Sequence, residues 1–211
     1  MLTLFGSAGS GSAAVELALL RCGVPYRVER ASTWEADSAQ VELRRVNPLG
    51  QIPALRMEDG SVLTESAAIL IHLGLTHPSA GLLPIDAAAQ AQALRGLVFI
   101  AANCYAAIGV IDYPERWCLP GADAATLESL RQGARSRLHG YWELFADQFG
   151  GGEPYLAGEE PGALDFLAAV VSRWSGAREH LRQARPPFLA GLERVEAHPL
   201  AAPVFARHWS A

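Results

Sequence analysis

Lysine is absent. All 17 basic residues in the 211-residue chain are arginine. No Schiff-base or pyridoxal-phosphate lysine is therefore available, and a Walker-type phosphate loop, which sets a lysine on the phosphates, cannot be completed. Cysteine is scarce. Cys22, Cys104 and Cys118 are the three present, and none forms a C-x-x-C pair for a dithiol centre or a zinc ribbon. Free thiols of this kind suit a reducing cytoplasm. Basic charge is in the minority, 17 against 22 acidic for a net −5, so nothing favours nucleic acid, whose backbone needs a basic face. No basic segment precedes an apolar one at the N-terminus, so no signal peptide is expected. The longest charge-free run near mid-chain, Gly96 to Ile111, is short of the ~20 residues of a membrane span. It reads as a deeply buried helix, and no membrane association is expected. The six histidines show no i, i+4 pair and no flanking ligand pattern, so no metal is expected. No serine stands in G-x-S-x-G, which removes support for a hydrolase.

What is present belongs to a folded chain: 50% apolar and 18% charged residues, unlike disordered or collagen-like proteins. The length allows one domain or two small ones. Leu2 to Phe5 reads as a short buried strand. Ser7 to Ser12 is a loop of small residues, Ala13 to Arg21 a helix stopped by Cys22-Gly23, and Val24 to Val28 a second strand. A short helix over Glu42 to Val46 precedes the turn Asn47-Pro48-Leu49-Gly50. Two strands, 52–57 and 61–63, then flank an Asp59-Gly60 hairpin turn. A helix starts at Thr64 or Glu65 and runs to about Leu75. His77-Pro78 ends it, and Pro78 to Pro84 is a linker. From Asp86 onward only helical spacing is found, through 87–111, 124–149, 163–182 and 188–197. The first part is mixed α/β and the second all α.

Three constellations carry chemistry. In Gly6-Ser7-Ala8-Gly9-Ser10-Gly11-Ser12, hydroxyls sit between a strand end and a helix start. A helix N-terminus offers unpaired N–H groups and partial positive charge to an anion, and can lower a thiol pKa from about 8.5 to roughly 3.5–7.5. Ser10 and Ser12 are equally suited simply to cap the helix. Gly9 to Ala14 also matches G-x-G-x-x-A, with Glu29 where a dinucleotide ribose acid would stand. The hairpin and helices that follow argue against a Rossmann half. Second, Gly50-Gln51-Ile52-Pro53 leaves the Ile52 backbone free beside a strand-initiating proline. A cis bond there would turn those groups toward a cleft, where an extended peptide could pair with them. The alternative is an ordinary edge-strand proline. Third, Glu65-Ser66 opens a helix with a carboxylate and a hydroxyl, matched to the ammonium and carboxylate of an amino acid. Simple complementation of the helix dipole is the plainer reading.

Asn-Pro-x-Gly-x-Ile-Pro at 47–53 and Glu-Ser-x-x-Ile-Leu at 65–70, in this order and followed by helices, resemble the glutathione S-transferase family over nearly the whole chain. The resemblance implies a thioredoxin-like α/β domain at 1–77 that binds glutathione, and an all-helical domain at 86–211. It implies that Ile52 pairs with the cysteinyl unit, that Pro53 is cis, and that Glu65 and Ser66 hold the γ-glutamyl end with Gln51 nearby. Ser10 falls where serine-type bacterial members keep the hydroxyl that stabilises the thiolate, with Ser12 the alternative. Gly11 stands where cysteine-type members carry cysteine, which argues against covalent glutathione or dehydroascorbate-type chemistry. Asp165, after Pro161-Gly162, is a folding element that reaches back to the helix cap.

The implied reaction is attack of glutathione thiolate on a small hydrophobic electrophile. Glutathione is the substrate, no bound cofactor is needed, and a homodimer is implied. Ala8, Asn103, Tyr105 and Ile108 are expected to line the acceptor pocket, with Trp117, Trp174 and Trp209 as aromatic walls. A non-catalytic binding module and a nucleotide-dependent oxidoreductase are the alternative functions.

Overall fold

The computed structural model describes residues 1–151, 154–156 and 158–209. A four-stranded sheet of order β2-β1-β3-β4 lies in the N-terminal part. β1 (Leu2–Gly6) is buried along its length, because strands flank it on both sides and helices cover it. β2 (Tyr26–Arg30) pairs with it in parallel, Leu4 opposite Val28. β2 starts later than the sequence suggests, after Pro25, which has no N–H to donate to a ladder. It is an edge strand with exposed Arg27 and Arg30, charges of the kind that discourage edge-to-edge pairing. β3 (Ala54–Arg56) runs antiparallel to β1, and β4 (Val62–Thr64) antiparallel to β3. Among the described residues β1–β2 is the only parallel pair. A dinucleotide fold needs further parallel βα units, so the glycine-loop match to that fingerprint is a coincidence of composition.

Helix α1 (Ser12–Cys22) follows β1 and ends on Gly23 in the left-handed region, φ 65°. α2 (Gln40–Val46) buries Leu43 in a small cluster with Phe5, Ala31 and Ala54. α3 (Ser66–Thr76) packs on α1. Pro78–Ala80 forms one 3₁₀ turn inside the expected linker.

The rest is helical: α4 (Ala87–Phe99), α5 (Ala106–Asp112), α6 (Ala124–Phe149), α7 (Ala163–Val171), α8 (Ala177–Ala184), α9 (Pro186–Ala197) and α10 (Ala202–His208). Asp86 and Asp123 cap α4 and α6, each accepting an N–H three residues on at 2.8 Å. The Asp165 carboxylate accepts Gly162 N–H at 2.9 Å and Leu156 N–H at 2.7 Å, the reach-back its position suggests. The helix expected over 163–182 is two helices. Ser175 and Gly176 between them take positive φ, 57° and 77°. α10, seven residues long, carries too little periodicity to be read.

α4 and α5 join through a π-helical segment, Ile100–Tyr105, into one helix, Ala87–Asp112. By length and composition this helix is able to cross a membrane. Here it packs against α6 and α7. The sequence-based expectation of a deeply buried helix needs correction: only 39% of its most apolar window is buried. One side of it forms the wall of a cleft instead.

Candidate active site

The cleft, about 1070 Å³, lies between the end of the sheet that carries the β1–α1 loop, the turn before β3 and the start of α3, and the helix Ala87–Asp112. At its base is the loop between β1 and α1. Gly9 turns that loop with φ 68°, and the α1 N-terminus opens at Gly11. Ser10 Oγ–H donates to Ser7 C=O at 2.7 Å, and its oxygen accepts Ser12 N–H at 3.2 Å. Ser10 Oγ and Ser12 Oγ are 2.8 Å apart, and Ser12 Oγ is 3.3 Å from the same Ser7 carbonyl. Ser10 lines the cleft. Ser12 is 1% exposed and wedged against Gly6, outside the lining. Of the two loop hydroxyls, only Ser10 is within reach of a cleft ligand.

The Ile52–Pro53 peptide is cis. Ile52 lies outside β3, and among the described residues its N–H and C=O take no part in the loop hydrogen bonds. The preceding turn is held from within. Asn47 Nδ2 donates to Gln51 C=O at 2.8 Å, and Asn47 Oδ1 accepts Leu49 N–H at 3.2 Å. Gln51, Ile52 and Pro53 all line the cleft, as do Glu65 and Ser66. Glu65 sits at φ 62°, ψ 112° immediately before α3. A non-glycine residue held there costs about 1–3 kcal/mol, and such outliers gather at ligand sites.

The helical part supplies Tyr105, Ile108, Trp117 and Trp174 to the opposite wall. Trp174 Nε1–H donates to Gly9 C=O at 3.2 Å, pinning the loop. Three residues expected in the cleft lie elsewhere. Ala8 is exposed and outside the lining. Asn103 turns away toward a second groove against α6, and its amide is satisfied by Phe99 C=O at 3.0 Å. Asn103 is two residues from Tyr105, roughly 200° around the helix, so the two cannot face the same wall. Trp209 packs on Phe205 beside Gly9, not in the cleft. Cys104 is enclosed in the core, where burial pushes its thiol up to about 12. Cys22 is likewise raised, to about 11. Neither is a ready nucleophile.

Sequence reasoning missed Arg44, whose guanidinium nitrogen comes within 3.3 Å of where a Gly50 Cβ would stand. Glu42, the acid on the same helix, pairs instead with Arg45 and Arg56. It also missed Asp112, Tyr113 and Arg116 at the outer rim. Arg116 lies 3.8 Å over the Tyr113 ring. No periodic or motif signal marks these residues. Among the described residues no group of His, Cys, Asp or Glu is arranged to hold a metal.

The sequence pattern of the family described as "Glutathione S-transferase, N-terminal domain" matches residues 12–75. The uncharacterized GST-like protein YncG of Escherichia coli K12 is 30% identical over 180 residues, 85% of this chain and 84% of that protein. A glutathione transferase homologue from Sulfitobacter, crystallised with bound glutathione, superposes with a TM-score of 0.84 at 26% identity. The match covers 97% of this chain and 96% of that one. A glutathione S-transferase from Methylobacterium radiotolerans, in complex with glutathione sulfonate, gives 0.70 at 25% identity over 100% and 97% of the two chains. Fold, cleft and relatives agree: the chain belongs to the glutathione S-transferase family.

Proposed function

We propose that the chain is a serine-type glutathione transferase, with residues 1–77 binding glutathione and 86–211 completing the acceptor pocket. The observation that carries this reading is the convergence on one cleft of a helix N-terminus, an unpaired backbone edge at Ile52 and the Glu65-Ser66 pair. An extended tripeptide pairs its cysteinyl backbone with Ile52. Glu65 takes the ammonium of the γ-glutamyl end, Ser66 its carboxylate, and Gln51 lies alongside. Arg44, with no acid partner on its own helix, takes the carboxylate at the glycine end. The crystallised Sulfitobacter relative with bound glutathione supports the choice of ligand.

The sulfur then lies at the α1 N-terminus. A free thiol with a pKa near about 8.5 is only a few per cent ionised at neutral pH, and helix N–H groups favour the thiolate. Ser10 adds a hydroxyl donor. Its proton is engaged with Ser7 C=O, but Ser12 Oγ already sits 3.3 Å from that carbonyl. Ser12 takes over the carbonyl when Ser10 turns to the sulfur. The thiol proton leaves to solvent, and the thiolate forms a C–S bond to the electrophile. The leaving group departs with its electron pair. Ile108, Trp117 and Trp174 wall the acceptor space. The enzyme works as a homodimer in the reducing cytoplasm.

Calorimetric titration with glutathione and conjugation of a chlorodinitrobenzene test the reading. Saturable binding and turnover are expected, and Ser10→Ala removes most turnover while glutathione affinity changes little. Binding without turnover by the wild type would leave a glutathione-binding module. Thermal stabilisation by NAD or NADP with no response to glutathione would overturn the reading, because selective binding to the native state raises its stability.

A further inference from the structure

We propose that the Tyr105 phenol, supplied by the helical domain, is a second hydrogen-bond donor to the glutathione sulfur. The inference rests on the glutathione reading above. Tyr105 Oη is sealed from solvent and has no hydrogen-bond partner among the described residues. Buried polar hydroxyls are ordinarily paired, and an orphan calls for an explanation. Its surroundings supply one. A Cβ on Gly11 would fall 2.2 Å from Tyr105 Oη and 3.6 Å from Pro53 Cδ. The hydroxyl therefore occupies the side-chain position of the residue that opens α1, next to the cis-proline. Gly11 has φ −62°, so its backbone does not require glycine. Glycine is needed there for room, and Tyr105 fills it.

The phenol keeps its proton. Burial dominates and pushes its pKa up to about 12, with Ser66 acting in the lowering sense and Glu65 in the raising sense. Ser66 does not reach hydrogen-bond geometry. A neutral phenol beside a thiolate donates, and hydrogen bonds to a charged acceptor are the strong ones. The ring already lines the cleft and packs tilted against Trp174, with ring centroids 5.7 Å apart and planes at 56°. A small swing of that ring turns the hydroxyl from Gly11 to the sulfur. The sulfur thus gains one donor from each domain, so the thiolate forms fully only when the helical domain is in place against the loop.

Tyr105→Phe removes the donor and keeps the ring. Three readouts are taken on the full chain: glutathione affinity by calorimetry, the ultraviolet thiolate band of the bound complex, and kcat/KM against pH with a chlorodinitrobenzene. In the variant the pKa of bound glutathione rises by about one to two, and kcat/KM at neutral pH falls about 10- to 100-fold. Activity recovers as pH rises, and affinity for glutathione is nearly unchanged at acid pH, where the bound thiol is protonated, and falls by up to the same factor where wild type binds the thiolate. An unchanged thiolate band and pH profile in Tyr105→Phe overturns the proposal, even if kcat falls through the acceptor pocket. Absence of glutathione binding by the wild type overturns the glutathione reading itself and this inference with it.

Discussion

The indole N–H of Trp174 donates to the carbonyl of Gly9 at 3.2 Å across a separation of 165 residues. This contact joins the break after α7 to the loop that opens α1, so the helical part sets the shape of the loop at the base of the cleft. Trp174→Phe retains an aromatic ring and removes the donor. A neutral hydrogen bond contributes about 0.5–1.5 kcal/mol net, and the melting temperature is expected to fall by roughly 2–5 °C. Glutathione affinity, measured by calorimetry, falls several-fold because the loop is less well ordered before binding. An unchanged affinity would show that the loop holds its shape without the indole.

Gly11 and Tyr105 form a packing pair whose coupling is measurable without any substrate. Gly11→Ala puts a methyl where Tyr105 Oη stands, and overpacking of this kind costs about 1–3 kcal/mol. The same methyl would lie 3.4 Å from Tyr105 Cζ, a tolerable contact once the hydroxyl is gone. Gly11→Ala is therefore expected to melt several degrees below wild type, and Gly11→Ala/Tyr105→Phe to recover most of that loss. Denaturant unfolding of the four proteins gives the interaction energy. Additive effects would show that the two residues do not meet.

Glu65 is held at φ 62° directly before α3 and makes no side-chain cap there. Glycine adopts positive φ freely. Glu65→Gly relieves about 1–3 kcal/mol of strain, while the added freedom of the unfolded chain returns about 0.4–1 kcal/mol. The variant should melt at or a few degrees above the wild type yet bind glutathione at least tenfold more weakly, since in the proposed pose the ammonium loses its carboxylate partner. A clear drop in melting temperature would mean that Glu65 stabilises the fold and that its conformation is not strained for binding.

The architecture was open to reading because its signals are local. Leu2, Leu4 and Phe5 form a wholly buried strand. Gly23 closes α1, and Gly60 makes the β3–β4 turn at φ 88°. Pro53 and the Glu65-Ser66 pair lie where backbone geometry and side-chain chemistry coincide, so short motifs point to them. The helical wall was harder. Around Ile100–Tyr105 apolar residues occur on every side, so no stripe tells which face is turned to the cleft. That is why Asn103 was expected in the cleft and is found on the other side. Nothing local distinguishes Trp174 from a core aromatic, and Arg44 matters only because Gly50 comes back beside it.

Glu16 of α1 is 5% exposed and joins α10 through Arg207 and His208, with His208 Nε2 3.0 Å from Glu16 Oε2. Burial alone would raise its carboxyl pKa. The hydrogen bonds and charges of His208 and Arg207 outweigh burial and hold it below 4.5. A carboxylate depressed in the folded state adds stability that is complete above the unfolded pKa and is lost as pH falls through the folded one. Glu16→Gln keeps the shape and removes the charge. Hydrogen bonds to a charged group contribute about 1.5–3 kcal/mol, so the variant should melt roughly 3–10 °C lower at neutral pH. As pH falls through the depressed folded value the wild-type carboxylate is protonated and the two melting curves converge. Because α10 leads into Trp209 beside Gly9, hydrogen exchange at the Ser7–Gly11 loop should quicken in the variant at neutral pH. A gap in melting temperature that stays constant from neutral to acid pH would assign the effect to packing and remove the charge from the account.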